Sequence, residues 1–212
     1  MGKLVAEKLG AMKADEEAVQ AAISSPDHTF WDDLAKHFGQ KVKKIFSRFK
    51  TVTVGAVTAK KTADCFTDKT RYFFRDGDLD KFLPKHQSDQ AESRFGVLQL
   101  TEPATFKKFV ENVLGTKGSL QTLAKLLKER SLTTTLPAIE TLIERQENGD
   151  DVGLRTDGWA NFFFVENEDG DSVSVVYVCR RGRQWDVYQS SCGGGSGWGA
   201  DARFFLRNFS GD

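Results

Sequence analysis

One stretch of the sequence combines a nucleophilic side chain with a glycine-rich backbone. It covers residues 190–199 and has the sequence Ser-Ser-Cys-Gly-Gly-Gly-Ser-Gly-Trp-Gly. Cys192 is a candidate nucleophile for a hydrolase-type enzyme, because neighbouring backbone N–H groups are suited to an oxyanion hole. A catalytic thiol also needs a base that lowers its pKa, and His28, His37 and His86 all lie far from Cys192 in sequence. The pattern therefore favours a mobile hairpin loop over a catalytic centre.

The same loop is a poor candidate for a phosphate site. Phosphate loops present the N-terminus of a following helix, whereas the residues after this loop alternate in polarity like a strand. The Lys-Ser/Thr pair of a nucleotide-binding P-loop is also absent. We expect residues 191–199 to contact a partner instead, with Trp198 as the anchor, because aromatic residues dominate such contacts.

A second group of candidate binding residues is mostly basic. Five arginines lie on or beside the predicted C-terminal strands, where they are expected to line a rim of the sheet and pair with a partner. The alternative is that they pair with acids of the same chain at positions 166–169. The candidate binding residues are Arg180, Arg181, Arg183, Trp198, Arg203 and Arg207.

Lysines are concentrated in residues 34–63, a segment without Asp or Glu. On a helix, four of these lysines would form a basic stripe able to neutralise phosphates, which predicts a nucleic-acid-binding module as an alternative function. The competing interpretation is a solvated helix face balanced by acids elsewhere. The four residues are Lys36, Lys43, Lys44 and Lys50.

An acidic run at residues 76–80, Asp-Gly-Asp-Leu-Asp, begins like a calcium-binding loop. The pattern then fails, because Lys81 stands where glycine is required and Gln87 where the bidentate glutamate would be. The run is interpreted as an acidic turn. We therefore predict no metal site and no cofactor.

Composition places the chain among ordinary globular proteins. Its 212 residues are 39% hydrophobic and 28% charged, with 30 basic and 30 acidic side chains, so net charge gives no overall attraction to nucleic acid or membranes. The sequence lacks the run of about 18 apolar residues that a membrane-spanning helix requires. Cys65, Cys179 and Cys192 are widely spaced and odd in number, which predicts free thiols and a cytoplasmic location.

Apolar periodicity predicts helices first, then strands, helices and strands again. We expect an N-terminal helical segment over about 1–50, a helical group over 103–147, and a C-terminal β-meander over about 159–209. This segregation predicts one α+β domain over 1–212, an antiparallel twisted sheet with helices packed mainly on one face. Predicted core residues are Phe162 and Phe164 with Val176 and Val178, or their opposite-face neighbours, together with Phe106, Phe109 and Leu123.

These observations favour a non-enzymatic interaction domain that binds another macromolecule, expected to be a protein, through the sheet rim and the 191–199 loop. The two alternatives are the hydrolase that uses Cys192 and the nucleic-acid-binding module that uses residues 36–61. No membrane partner is expected.

Overall fold

A computed structural model describes residues 44–192 and 197–209. The described residues belong to one compact unit. The predicted helices before residue 44, the candidate lysines Lys36 and Lys43, and the loop residues 193–196 lie outside the described residues. No helix in the described part is long and apolar enough to cross a membrane.

The described chain contains eleven strands and four α-helices. The helices are α1 (Asp78–Phe82), α2 (Phe106–Leu114), α3 (Leu120–Glu129) and α4 (Leu136–Glu147). The strands are β1 (Phe46–Val54), β2 (Lys60–Lys61), β3 (Tyr72–Arg75), β4 (His86–Gln87), β5 (Ser93–Leu100), β6 (Ala104–Thr105), β7 (Ala160–Glu166), β8 (Val173–Arg181), β9 (Gln184–Ser191), β10 (Gly197–Trp198) and β11 (Arg203–Arg207).

Seven of these described strands form one mixed sheet in the order β1-β5-β11-β7-β8-β9-β3. The prediction of an α+β fold is confirmed, but the prediction of a purely antiparallel sheet is wrong. β11 pairs parallel with β7, and β3 pairs parallel with β9. β11 therefore does not extend the C-terminal meander beside β9; it enters the sheet between β5 and β7. Its residues Phe204, Phe205 and Leu206 are all fully buried, as expected for a central strand covered on both faces.

Helices lie against both faces of this sheet, α4 on one and α2 and α3 on the other. On the first face, Ile139 and Leu142 of α4 share a buried cluster with Phe163 of β7. On the second face, Phe109 of α2 and Leu123 of α3 share a buried cluster with residues such as Phe164 and Phe204. The alternating side chains of the central strands are apolar on both sides, so each face requires its own cover.

The prediction of helix up to about residue 50 is wrong for its last turn. Phe46 and Phe49 fit a helical spacing, but both lie in β1, which pairs antiparallel with β5. A register irregularity between Arg48 and Lys50 changes the alternation of β1. Phe46 is buried, whereas Phe49 is exposed beside that irregularity. The apparent helical face therefore arises from a strand whose period of two is interrupted.

The helices on the second face begin and end at residues with the expected local chemistry. The Thr105 side chain accepts a hydrogen bond from the Lys108 N–H at the start of α2, and Gly115 ends that helix with a positive φ of 66°. Ser119 caps α3 in the same way by accepting from the Thr122 N–H. These caps fix where the two helices begin over the sheet.

Candidate functional site

A row of aromatic rings crosses five neighbouring strands of the main sheet. Its consecutive ring centroids are 5.0, 5.7, 5.0 and 4.9 Å apart, close to the spacing of adjacent strands. We call this set the aromatic row. From β11 through β7, β8 and β9 to β3, it consists of Phe204, Phe162, Tyr177, Tyr188 and Phe74.

Backbone register places these rings in line. Phe162 lies opposite Tyr177, and Tyr177 lies opposite Tyr188, in two consecutive antiparallel hairpins. The first hairpin turns at Asp169 and Gly170, where Asp169 accepts hydrogen bonds from the backbone N–H groups of Asp171 and Ser172. The second turns at Gly182, whose φ of 60° suits glycine. The two turns therefore align three of the five rings.

The two ends of the aromatic row have different surroundings. Phe204 is fully buried, and Phe109 of α2 stacks on it at a centroid distance of 4.0 Å. Phe74, at the other end, is 41% exposed, and its neighbour Phe73 is 58% exposed. We call these the covered end and the open end. The open end is an exposed aromatic surface continuous with a packed core.

Beside the middle of the row lies a cavity of about 240 Å³. Trp198 forms one wall, with its ring 5.4 Å from Phe162 and 4.7 Å from Phe204. The β10 strand that contains Trp198 is held by pairing with β6. The lining residues are Phe106, Phe162, Val175, Tyr177, Ser190, Ser191, Cys192 and Trp198. Among these described lining residues there is no His, Asp, Glu, Lys or Arg, so the cavity favours an uncharged, apolar group.

Cys192 lies in this cavity in a state unsuited to nucleophilic attack. Its thiol donates a hydrogen bond to the Val173 carbonyl oxygen at 2.7 Å. Burial raises the pKa of the Cys192 thiol to about 12. A reactive cysteine requires the opposite shift, which a nearby cation or histidine would cause. Cys65, Cys179 and Cys192 are all free thiols in the structure.

The arginines near the second hairpin turn have partners within the chain. Arg180 forms an ion pair with Glu147 at 2.9 Å and lies over the Trp185 ring. Arg181 points to the other face of β8, where its Nε is 2.8 Å from the Asp186 carboxylate. Arg183 lies exposed in the turn itself. These arginines are therefore divided between the two faces of the sheet.

The two arginines of β11 lie at its opposite ends. Arg203 packs over the Phe49 ring at 3.8 Å and donates to the Gly153 carbonyl oxygen at 2.8 Å. The pKa of Arg203 is lowered mainly by burial and, to a smaller extent, by the positive charge of the neighbouring Arg155. Arg207 donates to the Ser131 carbonyl oxygen, and burial lowers its pKa as well. The five candidate arginines therefore do not form one rim. Trp198 is half-buried against the buried cluster on the second face of the sheet and does not project from a loop.

The two described candidate lysines are at the start of the described chain. Lys50 forms an ion pair with Asp151 at 2.7 Å. Lys44 is exposed and has an interaction within the chain. Lys50 lies on β1, so the predicted helical stripe of lysines does not include it.

The acidic run after β3, which was predicted to be a turn, consists of a short turn at Asp76 and Gly77 followed by the first residues of α1. Asp76 accepts hydrogen bonds from the backbone N–H groups of Asp78 and Gln189, which ties the turn to β9. Within the described ranges, no group of three or more His, Cys, Asp or Glu side chains is placed to hold a metal ion.

The aromatic row itself was missed by sequence reasoning, although part of the signal is present. Phe162 and Tyr177 are equally distant from the Asp169-Gly170 turn, and Tyr177 and Tyr188 are equally distant from the turn at Gly182 and Arg183. Counting outward from each turn therefore predicts both pairs. Phe74 and Phe204 join the row through parallel pairings between segments far apart in sequence, for which no such count exists.

Comparisons with protein-family models, with curated proteins and with solved structures find no match to this chain.

Proposed function

We propose that this chain is a non-catalytic binding domain that holds a segment of another protein on the aromatic row. In this proposal a large apolar side chain of the partner enters the cavity beside Trp198, and the flanking partner residues lie across the open end. The observation behind it is that an apolar cavity shares two side chains, Phe162 and Tyr177, with a row of aromatic rings that is exposed at one end.

The size of the cavity supports a side chain as its occupant. A dry cavity of about 150 Å³ accommodates benzene, so this larger one is wide enough for an aromatic or branched aliphatic side chain. Pockets for drug-sized ligands or cofactors usually exceed about 300 Å³. Protein interfaces commonly centre on such a buried anchor, with aromatic residues beside it.

The state of Cys192 supports binding rather than catalysis. A thiol whose pKa is raised to about 12 is almost entirely protonated at neutral pH. Its hydrogen bond to the Val173 carbonyl also holds it against β8. The hydrolase alternative would require a base within hydrogen-bond reach of Cys192, and the described lining residues offer none.

The charges near the aromatic row favour a protein over a nucleic acid. Asp76 and Asp186 both lie close enough to the row to raise the pKa of a neighbouring tyrosine, although burial is the larger cause. Asp76 would repel a phosphate at this position, whereas Asp186 is already paired with Arg181. The lysine that is described on β1, Lys50, is already paired with Asp151.

A display library of random peptides tests the proposal. We expect selection on the folded protein to enrich peptides with one large apolar residue. Their affinity should fall at least about ten-fold for Ser190→Trp, which places an indole at the cavity. Ser47→Trp, on the exposed β1 strand at the other edge of the sheet, is the matched control and should bind normally.

Folding of both variants is checked by their amide spectra and unfolding midpoints. The proposal is overturned if no peptide is enriched, or if the enriched peptides bind wild type and Ser190→Trp equally.

A further inference from the structure

A buried carboxylate lies beneath the open end of the aromatic row. Asp186 is on the same face of β9 as Tyr188, and its backbone lies opposite Cys179 on β8 and Phe74 on β3. The residue is only 1% exposed. Both of its side-chain contacts are made by one oxygen, Oδ2, which faces Arg181 at 2.8 Å and the Tyr188 hydroxyl at 3.4 Å. The other oxygen, Oδ1, is buried without a hydrogen-bond partner among the described residues.

An unpaired oxygen on a buried carboxylate is costly, because desolvation is not repaid by a hydrogen bond. The only cation at this carboxylate among the described residues, Arg181, has a side chain that is 63% exposed. Replacing it with another cation would therefore uncover little apolar surface.

Arg181 also shows how a cation sits at this position. Its guanidinium lies 5.1 Å from the centre of the Phe73 ring while its Nε faces Asp186. Aromatic faces attract cations, and Phe74 and Tyr188 add two further rings around the same carboxylate. The site therefore combines an acceptor with aromatic rings, which is the chemistry that recognises a guanidinium or ammonium group.

We propose that the partner segment bears a basic side chain four residues from its apolar anchor, and that this cation displaces Arg181 and pairs with the carboxylate of Asp186. The inference rests on the proposed function. Asp186 and Ser190 are four residues apart on one face of β9, a separation of about 13 Å. An extended partner strand also needs four residues to span the distance from the cavity to the Asp186 carboxylate.

The test uses two synthetic peptides, acetyl-Trp-Ser-Thr-Ser-Arg-amide and the same peptide with neutral citrulline in place of arginine, each also made in reverse order. Calorimetric titration should give at least about ten-fold tighter binding for the arginine peptide in one of the two orders. Asp186→Asn keeps the side-chain shape and should abolish this preference.

A second variant guards against misfolding of Asp186→Asn. Arg181→Gln removes the competing cation and should tighten binding of the arginine peptide by about three-fold or more. Arg94→Gln, an exposed arginine on β5 away from β9 in the sheet, should leave binding unchanged. Equal binding of the arginine and citrulline peptides overturns this inference and leaves the proposed function standing. Failure of every peptide to bind overturns both.

Discussion

The two ends of the aromatic row are made of the same kind of residue but differ in what lies on them. At the covered end, Phe204 is packed between Phe109 and Trp198. At the open end, Phe74 stacks on Tyr188 and remains 41% exposed. Keeping water out of the apolar core requires the packing at the covered end of the row, but it does not require exposed rings at the open end. The same ring spacing continues into solvent at the open end, and this is the observation on which the proposed binding function rests.

The largest expected effect is a loss of stability on substitution at the covered end. Phe204→Ala should lower the free energy of unfolding by about 3–5 kcal/mol, because it removes a fully buried ring and leaves a cavity between both neighbours. Chemical denaturation of the purified variant measures this loss. A loss below about 1 kcal/mol would remove the distinction between the two ends.

Thiol reactivity should distinguish the cavity from the open end. Burial raises the pKa of Cys192 to about 12, so at pH 8 its alkylation should be at least about 100-fold slower than that of a model thiol. Burial and the charge of Asp186 also raise the pKa of Cys179, which lies nearer the open end and should react before Cys192.

Mass spectrometry of iodoacetamide-treated protein gives the order of labelling, with denatured protein as the control in which all three thiols react. Faster alkylation of Cys192 than of a model thiol would move the cysteine-enzyme alternative to first place.

At the open end, the same type of substitution should have little effect on stability. Phe74→Ala should lower the free energy of unfolding by less than about 1 kcal/mol, because much of the ring already contacts water. The same variant should bind the selected peptides several-fold more weakly, since a contact of the proposed interface is lost. Parallel denaturation and titration experiments check both parts. A large stability loss with unchanged binding would mean that the ring is structural.

The smallest expected effect concerns the turn that aligns two of the rings. Hydrogen bonds from the Ser172 side chain, then from the Ser172 and Asp171 backbone N–H groups, lower the pKa of Asp169. Its contribution to stability is therefore present above the unfolded pKa of about 3.9 and is lost as pH falls through the lower folded value. Asp169→Ala should cost about 0.5–1 kcal/mol at pH 7 and almost nothing at pH 2. Denaturation at the two pH values tests this, and an equal loss at both would assign the effect to something other than the carboxylate.

Much of the fold was predictable where the determining residues are close in sequence. A helical group over 103–147 was predicted, and α2, α3 and α4 all lie within those bounds. The residues after the 190–199 loop were predicted to alternate like a strand, and in β11 the neighbouring rings of Phe204 and Phe205 lie in the buried clusters on opposite faces of the sheet. Phe46 and Phe49 were misassigned to a helix, because a strand irregularity gives the same spacing as one helical face.

The candidate site was predictable only in part. Cys192 and Trp198 were identified as candidates, and both line the cavity. Their roles were not determined by residue type, since burial and the Val173 carbonyl set the state of the thiol. Asp186 gave no sequence signal, because an acidic residue between two apolar ones is typical of an exposed strand face.

The sequence by itself determined the two hairpins and hence the alignment of Phe162, Tyr177 and Tyr188, because turn chemistry and a period of two fix register locally. Only the tertiary structure decided that Phe204 and Phe74 extend the row at either end. Those neighbours come from parallel pairings between distant segments, and many strands with the same alternation compete for such positions. Which part of the row the helices cover follows from the same non-local packing.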